Sequence, residues 1–516
     1  MRHTIWLAGA LLLMMVGCRE ESDSVLSYAF NDRMAFAKAD TSFAGKFDVI
    51  WNGMNVNYAL WDYEKENGLD WDAVYDKYYP RFAALDAVDT LVSDRQLQEL
   101  LEEVLSPLHD GHLYVQVINH VTENSVRISP ASLRIERERI EEQNTAGNMK
   151  PSVAYYVATG DVLETRQIST QTFLPAILTT ISSLSSEISL LIMKESRTPE
   201  EDQRLALLMT VQTELNDAIS RYAGNADLEE LMSSYNEIAF RYGYLNIPGM
   251  EPVDKKLNTR AIDITYALFK GNVAYLRIDG FMLSSYLDST YIKHDYGKPS
   301  ARTKAVIDEV AATWKAWFDA IQVHHKAGDL GGVIIDVRNN GGGFVDDYRY
   351  VLGALLPSGG HHVTDARFKR GPGRYDYSPV MPQYLPTMNE EHVTVTEPIV
   401  VLCNCTSVSM AEQTSLGVKT LDNGTLIGTR TWGGMSALTT SDEYSNNYAG
   451  YVGEQGKTPV FCYVPMELVL SQEGKVMEGY GVTPDIELPL DYAAWNKGSG
   501  PDNQLERALS LIRTGN

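Results

Sequence analysis

The feature that most limits what this chain can fold into is a change of rhythm near Asn258. From there, short apolar runs alternate with amphipathic helical segments. Val273 to Ile278, Gly332 to Val337 and Pro398 to Leu402 read as strands, and Thr425 to Ile427 as a short extended piece. Arg302 to Val323 reads as a helix, because Val306, Val310, Trp314, Trp317 and Ile321 return every three or four positions. Tyr348 to Leu356 and Ser409 to Val418 read as shorter helices. Strands without polar alternation are buried on both faces, so the pattern predicts an α/β sheet covered by helices.

The preceding half is mostly helical. From about Ser27 to Leu108, Trp51, Tyr58, Trp61, Trp71, Tyr75, Tyr78 and Tyr79 recur at helical spacings and are expected in a core. Between Thr165 and Arg221, Phe173, Ile177, Ile181, Leu184, Ile188 and Ile192 form one apolar stripe, and Leu205, Leu208, Val211 and Leu215 a second. Thr198 before Pro199, with Glu200 and Glu201 in the first turn, marks the start of the second helix. The pair is expected to be a helical hairpin, an insertion in the 119–257 region.

The 516 residues, 44% hydrophobic, suffice for a buried core. A net charge of −24 without a Lys/Arg stripe excludes a nucleic-acid partner. Arg2 and His3, the apolar run Ile5–Val16, then Gly17-Cys18 and a polar stretch have the order of an export signal. They resemble the lipobox of bacterial lipoproteins. That resemblance implies a signal peptide over 1–17, a lipidated Cys18, a tether over 18–26 and a protein held to a membrane of the cell envelope through its acyl chains. Cys403, Cys405 and Cys462 remain and are expected as buried thiols.

Three segments carry chemistry. At Pro398–Glu412 an apolar strand leads through a small polar turn to a helix that starts at Ser409-Met410. A Ser there presents its hydroxyl at the carboxyl edge of a sheet, beside unpaired N–H groups of a helix start. The simpler alternative is an N-cap serine. At Asp336–Gly343 a strand ends in Gly341-Gly342-Gly343, whose backbone can approach a ligand and form an anion nest. It lacks the Gly-Lys-Ser/Thr of a phosphate loop. At Leu108–Val115 the turn His109-Asp110-Gly111-His112 enters a strand. Without a compact third ligand beside these histidines, neither a metal nor another cofactor is expected.

Together, and in this order, these segments resemble the tail-specific (C-terminal processing) and tricorn-core serine peptidases. The likeness adds Tyr275-Leu276-Arg277-Ile278, Gly428–Gly434 and Glu478–Asp485. It implies a ClpP/crotonase-like core over 258–516, an N-terminal helical region over 27–118 carrying the His segment, and protein or peptide substrates. It implies Ser409 as nucleophile, His112 as base, Glu478 as its acid partner, and an oxyanion hole from Met410 N–H with Gly342 or Gly343 N–H. Two departures stand out. The tail-specific branch has its Lys base where this chain has Gly434, and the tricorn branch has a Ser where this chain has Gly111. A catalytically inactive peptide- or lipophile-binding lipoprotein on the same fold is therefore the alternative, and Cys405 is a competing nucleophile.

Overall fold

The computed structural model describes residues 41–515 except 89–90, 171–172, 226–227, 254–260, 288–300, 371–372, 389–391, 437–450 and 454–457. The expected signal segment, Cys18 and the tether lie outside the described residues. The chain divides into two compact units, one running to Ala158 and resuming at Gly332, the other Thr159–Gly331.

In the first unit, helices Phe43–Asn57, Trp71–Asp86 and Asp94–Leu105 start on side-chain caps from Ser42, Asp70 and Ser93, the last a capping box with Gln96. Tyr58, Trp61, Trp71 and Tyr78 are in the core, and Trp51, Tyr75 and Tyr79 pack against it. Strand β1 (Tyr114–Ile118) begins two residues after His112 and pairs antiparallel with β2 (Ser125–Ile128).

The second unit opens with β3 (Val162–Ser169), then helices Phe173–Ile192, Pro199–Asn225 and Leu228–Tyr242. These three share a core of their own that includes Ile177, Leu184, Leu208, Val211, Leu215 and Tyr235. Thr198 and Glu201 cap the second helix reciprocally. Strands β4 (Asp263–Phe269) and β5 (Val273–Ile278) follow; β4 pairs antiparallel with both β3 and β5. Helix Ala301–Ala327 packs on all three.

The 119–257 region is mostly helical, with two strands inside it. Within 119–257, Ser125–Ile128 and Val162–Ser169 are strands, not helices. β3 is exposed along most of its length, so it carries no apolar period to betray it. By contacts the chain divides at 158/159 and 331/332, because β4, β5 and their covering helix pair and pack with β3.

The first unit resumes with β6 (Gly332–Asp336) and two 3₁₀ turns, Val345–Tyr350 and Leu352–Leu355, where one short helix was expected. Then come β7 (His361–Phe368), β8 (Met381–Leu385), β9 (Ile399–Cys403), helix Met410–Lys419 and β10 (Gly424–Gly428). β11 (Tyr451–Val452), β12 (Val460–Tyr463), β13 (Glu467–Ser471), β14 (Ile486–Glu487) and helix Asn503–Thr514 complete it. β6, β9, β10 and β14 run parallel side by side; β6 and β9 are buried throughout, as their apolar sequences require. β13-β7-β8 and β11-β12-β1-β2 form two further sheets.

Beneath the carboxyl end of β6, buried Arg338 is ion-paired with Asp336 at 2.5 Å and Asp502 at 2.8 Å. Asp502 caps the last helix through Gln504 and Leu505 N–H. The network ties the chain terminus to the strand that carries the glycine loop.

Candidate active site

The carboxyl ends of β6 and β9 are stitched by side chains. Asn404 Oδ1 accepts Asn339 N–H at 3.1 Å, and Asn404 Nδ2 donates to Asn339 Oδ1 at 2.7 Å. Ser407 Oγ donates to Val337 carbonyl at 2.8 Å, and Val408 N–H to Asn340 carbonyl at 3.0 Å. This fixes the turn that delivers Ser409 ahead of its helix.

Ser409 has φ +57° and ψ −117°, a conformation that non-glycine residues rarely adopt. Its N–H points to Gly434 carbonyl at 3.0 Å and Glu412 Oε2 at 3.2 Å, while its carbonyl accepts from Glu412 and Gln413 N–H. These bonds hold a strained, half-buried serine at a sharp strand-to-helix turn, the backbone logic of a nucleophile elbow.

Gly342, at φ +89°, lies directly against it. A Cβ there would fall 2.5 Å from Ser409 Cβ and 3.2 Å from Met410 N, so only glycine fits. The Gly342 N–H is engaged by Asn340 Oδ1 at 2.8 Å, which corrects its expected role as an oxyanion donor. The N–H of Gly343 and that of Met410, the first helical residue, have no acceptor among the described residues.

Asp110 builds the turn that carries His112: its Oδ1 accepts the N–H of His112 and of Leu113, each at 2.8 Å. Glu478 closes over the same turn. Its Oε1 accepts Gly111 N–H at 2.5 Å, and its Oε2 accepts Met435 and Ser436 N–H at 2.7 and 2.6 Å. Donor atoms of Asp110, His112 and Glu478 lie within 4.8 Å of one another. The compact third ligand that the sequence does not show beside His112 is thus supplied by a remote segment.

Burial dominates the electrostatics here. It pushes the His112 imidazole down to about 4, with a backbone contact to Ser436 working the other way. Burial and the Glu64 charge raise Asp110 to about 7 against its two N–H donors. Burial and the Asp110 charge hold Glu478 well above the usual carboxylate range. Glu64 itself is buried and accepts from Tyr58 hydroxyl at 2.6 Å and His109 N–H at 2.8 Å.

Gly434 links the histidine and serine segments. A Cβ on Gly111 would fall 2.3 Å from both Gly433 O and Gly434 Cα, and Gly434 carbonyl in turn receives Ser409 N–H. Among the described residues no hydrogen bond joins the His112 ring to the Ser409 hydroxyl.

Sequence reasoning missed the work of Glu412. This fully buried carboxylate accepts Thr431 Oγ1 at 2.5 Å and Gly433 N–H at 2.8 Å on Oε1, and Gly434 N–H at 2.7 Å on Oε2 beside Ser409 N–H. Burial raises its pKa, and those four donors oppose the rise. The available signal was its spacing, since the third residue of a helix is where an acid reaches back to the cap. Cys405 is no competitor: burial pushes its thiol up to about 12. Cys403, Cys405 and Cys462 are buried and unpaired.

Beside the Asn404 turn lies a cavity of about 470 Å³ lined by Arg139, Glu142, Met149, Thr429 and Arg430 among others. Arg139 anchors its wall by donating to the carbonyls of Arg430 and Thr431.

Residues 272–488 match the profile of peptidase family S41, a span that includes Ser409, Glu412 and Glu478 and leaves out His112. The chain is 31% identical to the tricorn protease of Thermoplasma acidophilum over 181 residues, which are 35% of this chain and 14% of that protein. It is 30% identical to the tricorn protease of Thermoplasma volcanium over 181 residues, again 35% and 14% of the two chains. Among solved structures, mature CPAF aligns over 93% of this chain and 97% of its own, at 13% identity and a TM-score of 0.44. The chain carries, over residues 272–488, a domain of peptidase family S41.

Proposed function

We propose that this chain is a serine-type endopeptidase of the cell envelope, lipid-anchored at Cys18, that hydrolyses exported proteins or peptides. Ser409 Oγ attacks the scissile carbonyl while His112 takes its proton. The oxyanion is received by the N–H of Met410 and Gly343. Each donor of this kind contributes about 2.7–4 kcal/mol to the barrier. The C–N bond then breaks as His112 returns the proton to the departing amine. Water, deprotonated by the same imidazole, hydrolyses the acyl-serine and restores Ser409. Glu478 faces the imidazolium that forms at each proton transfer. Burial favours the neutral ring, so charging it is costly, and the backbone contact to Ser436 offsets part of that cost.

The observation that carries this reading is the backbone of Ser409, a positive-φ serine at a helix start, packed between Gly342 and the Gly434 loop. Strain of this kind persists where surrounding bonds enforce it, and an N-cap serine needs none of it. Ser409→Ala is expected to lower kcat by at least about three orders of magnitude while unfolding with the parent's midpoint. Hydrolysis at the parental rate would exclude Ser409 as nucleophile. The lack, among the described residues, of a hydrogen bond between the His112 ring and the Ser409 hydroxyl, with glycine at both 111 and 434, favours the second reading, a binding protein without turnover. In that case the parent and Ser409→Ala would be equally inert and bind peptides equally.

A further inference from the structure

Around His112, buried polar atoms outnumber their partners. Asp110 is wholly buried and its Oδ2 has no hydrogen-bond partner; nor do the buried atoms His112 Nδ1 and Ser436 Oγ. The neighbouring amides are already engaged: those of His112 and Leu113 by Asp110 Oδ1, and those of Gly111, Met435 and Ser436 by Glu478. Charge is unbalanced as well. Glu64 raises Asp110, and Asp110 raises Glu478. Arg134 is the cation acting on both, and Glu64 is occupied by His109 at 2.7 Å. Buried carboxylates in excess of their counter-charges are costly, and either protons or a cation must offset them.

One imidazole and two carboxylates with donor atoms within 4.8 Å suit a borderline divalent ion. Mg²⁺ and Ca²⁺ prefer larger all-oxygen shells, whereas Zn²⁺ takes a His and two acids at about 2.0–2.2 Å, closer than the present spacing by about an ångström of side-chain movement. We propose that Asp110, His112 and Glu478 form a binding site for a divalent transition-metal ion of the Zn²⁺ type, and that its occupation silences the peptidase by taking the imidazole. The inhibitory half rests on His112 acting as the base; the binding half does not.

The test uses the full chain carrying Ser409→Ala, stripped with a chelator and titrated with Co²⁺ and Zn²⁺. One equivalent is expected to bind, with visible d–d absorption from Co²⁺. Asp110→Asn and His112→Ala, each added to that background, are expected to weaken binding at least tenfold. In the parent, one equivalent of Zn²⁺ stops hydrolysis and a chelator restores it. Substoichiometric binding, or affinity unchanged in the folded His112→Ala protein, overturns the site. Stoichiometric binding with undiminished hydrolysis overturns the inhibition alone. A parent that never hydrolyses, yet binds the metal through His112, keeps the site and removes the peptidase reading.

Discussion

Gly111 is pressed against the backbone of Gly433 and Gly434. It would be an ordinary loop glycine by itself, but a Cβ on Gly111 meets three backbone atoms of Gly433 and Gly434 at 2.3–2.7 Å. Backbone cannot turn aside as a flexible side chain can, so the two segments approach this closely only with glycine at 111. The serine implied by the tricorn branch is therefore excluded at 111, whereas a Cβ on Gly434 would stay 3.2 Å or more from its neighbours, Gly111 included, so space alone does not demand glycine there. Gly111→Ser is expected to destabilise the chain by about 1–3 kcal/mol, as overpacking does, and to lower kcat/KM because the displaced loop holds Ser409 N–H. Urea unfolding checks the first effect; a parental midpoint would mean that the loop yields freely. None of this coupling was legible in the sequence, where the two glycines are remote and each reads as a departure from a motif.

At the scale of elements, the junctions were the legible part. The apolar run at β9 and the periodic helix after it locate Ser409 without any contact information. The ends of β6 and β9 are likewise visible, because a buried strand must stop where polar and glycine residues begin. What holds the junctions together was not visible. Glu412 joins its helix to the 431–434 loop through three donors, and holds Ser409 N–H with a fourth bond; only the fold brings that loop to the helix. Glu412→Gln would set an amide NH₂ against two of those donors. With about 1–3 kcal/mol for each buried donor left unpaired, kcat is expected to fall at least tenfold with KM little changed. Steady-state kinetics decides; an unchanged kcat would show that the loop is held by other contacts. The edge strand β3 illustrates the opposite failure: its exposed face leaves no period, and helical neighbours swamp it.

For the whole molecule, charge, export pattern and catalytic layout belong to one account. No helix among the described residues is long and apolar enough to cross a membrane; the attachment proposed above is through acyl chains on Cys18. Cys18→Ser is expected to move the protein from the membrane pellet to the soluble fraction; continued sedimentation with membranes would contradict lipidation there. The two-unit division was only partly legible. Helical stripes such as Leu208–Val211–Leu215 announce a second core, but strand pairing decides which strands join it, and pairing is non-local. The central claim is that Ser409 is a nucleophile served by a neutral His112, and covalent labelling by a fluorophosphonate tests it most directly. With the imidazole pushed down to about 4 by burial, the ring is largely uncharged from about a pH unit above that value. In metal-free buffer, modification at Ser409 should therefore proceed at a nearly constant rate from pH 8 down to about pH 5.5, without the fall near 6.5 of an ordinary histidine. The absence of label at any pH, or label on a residue other than Ser409, would contradict the account.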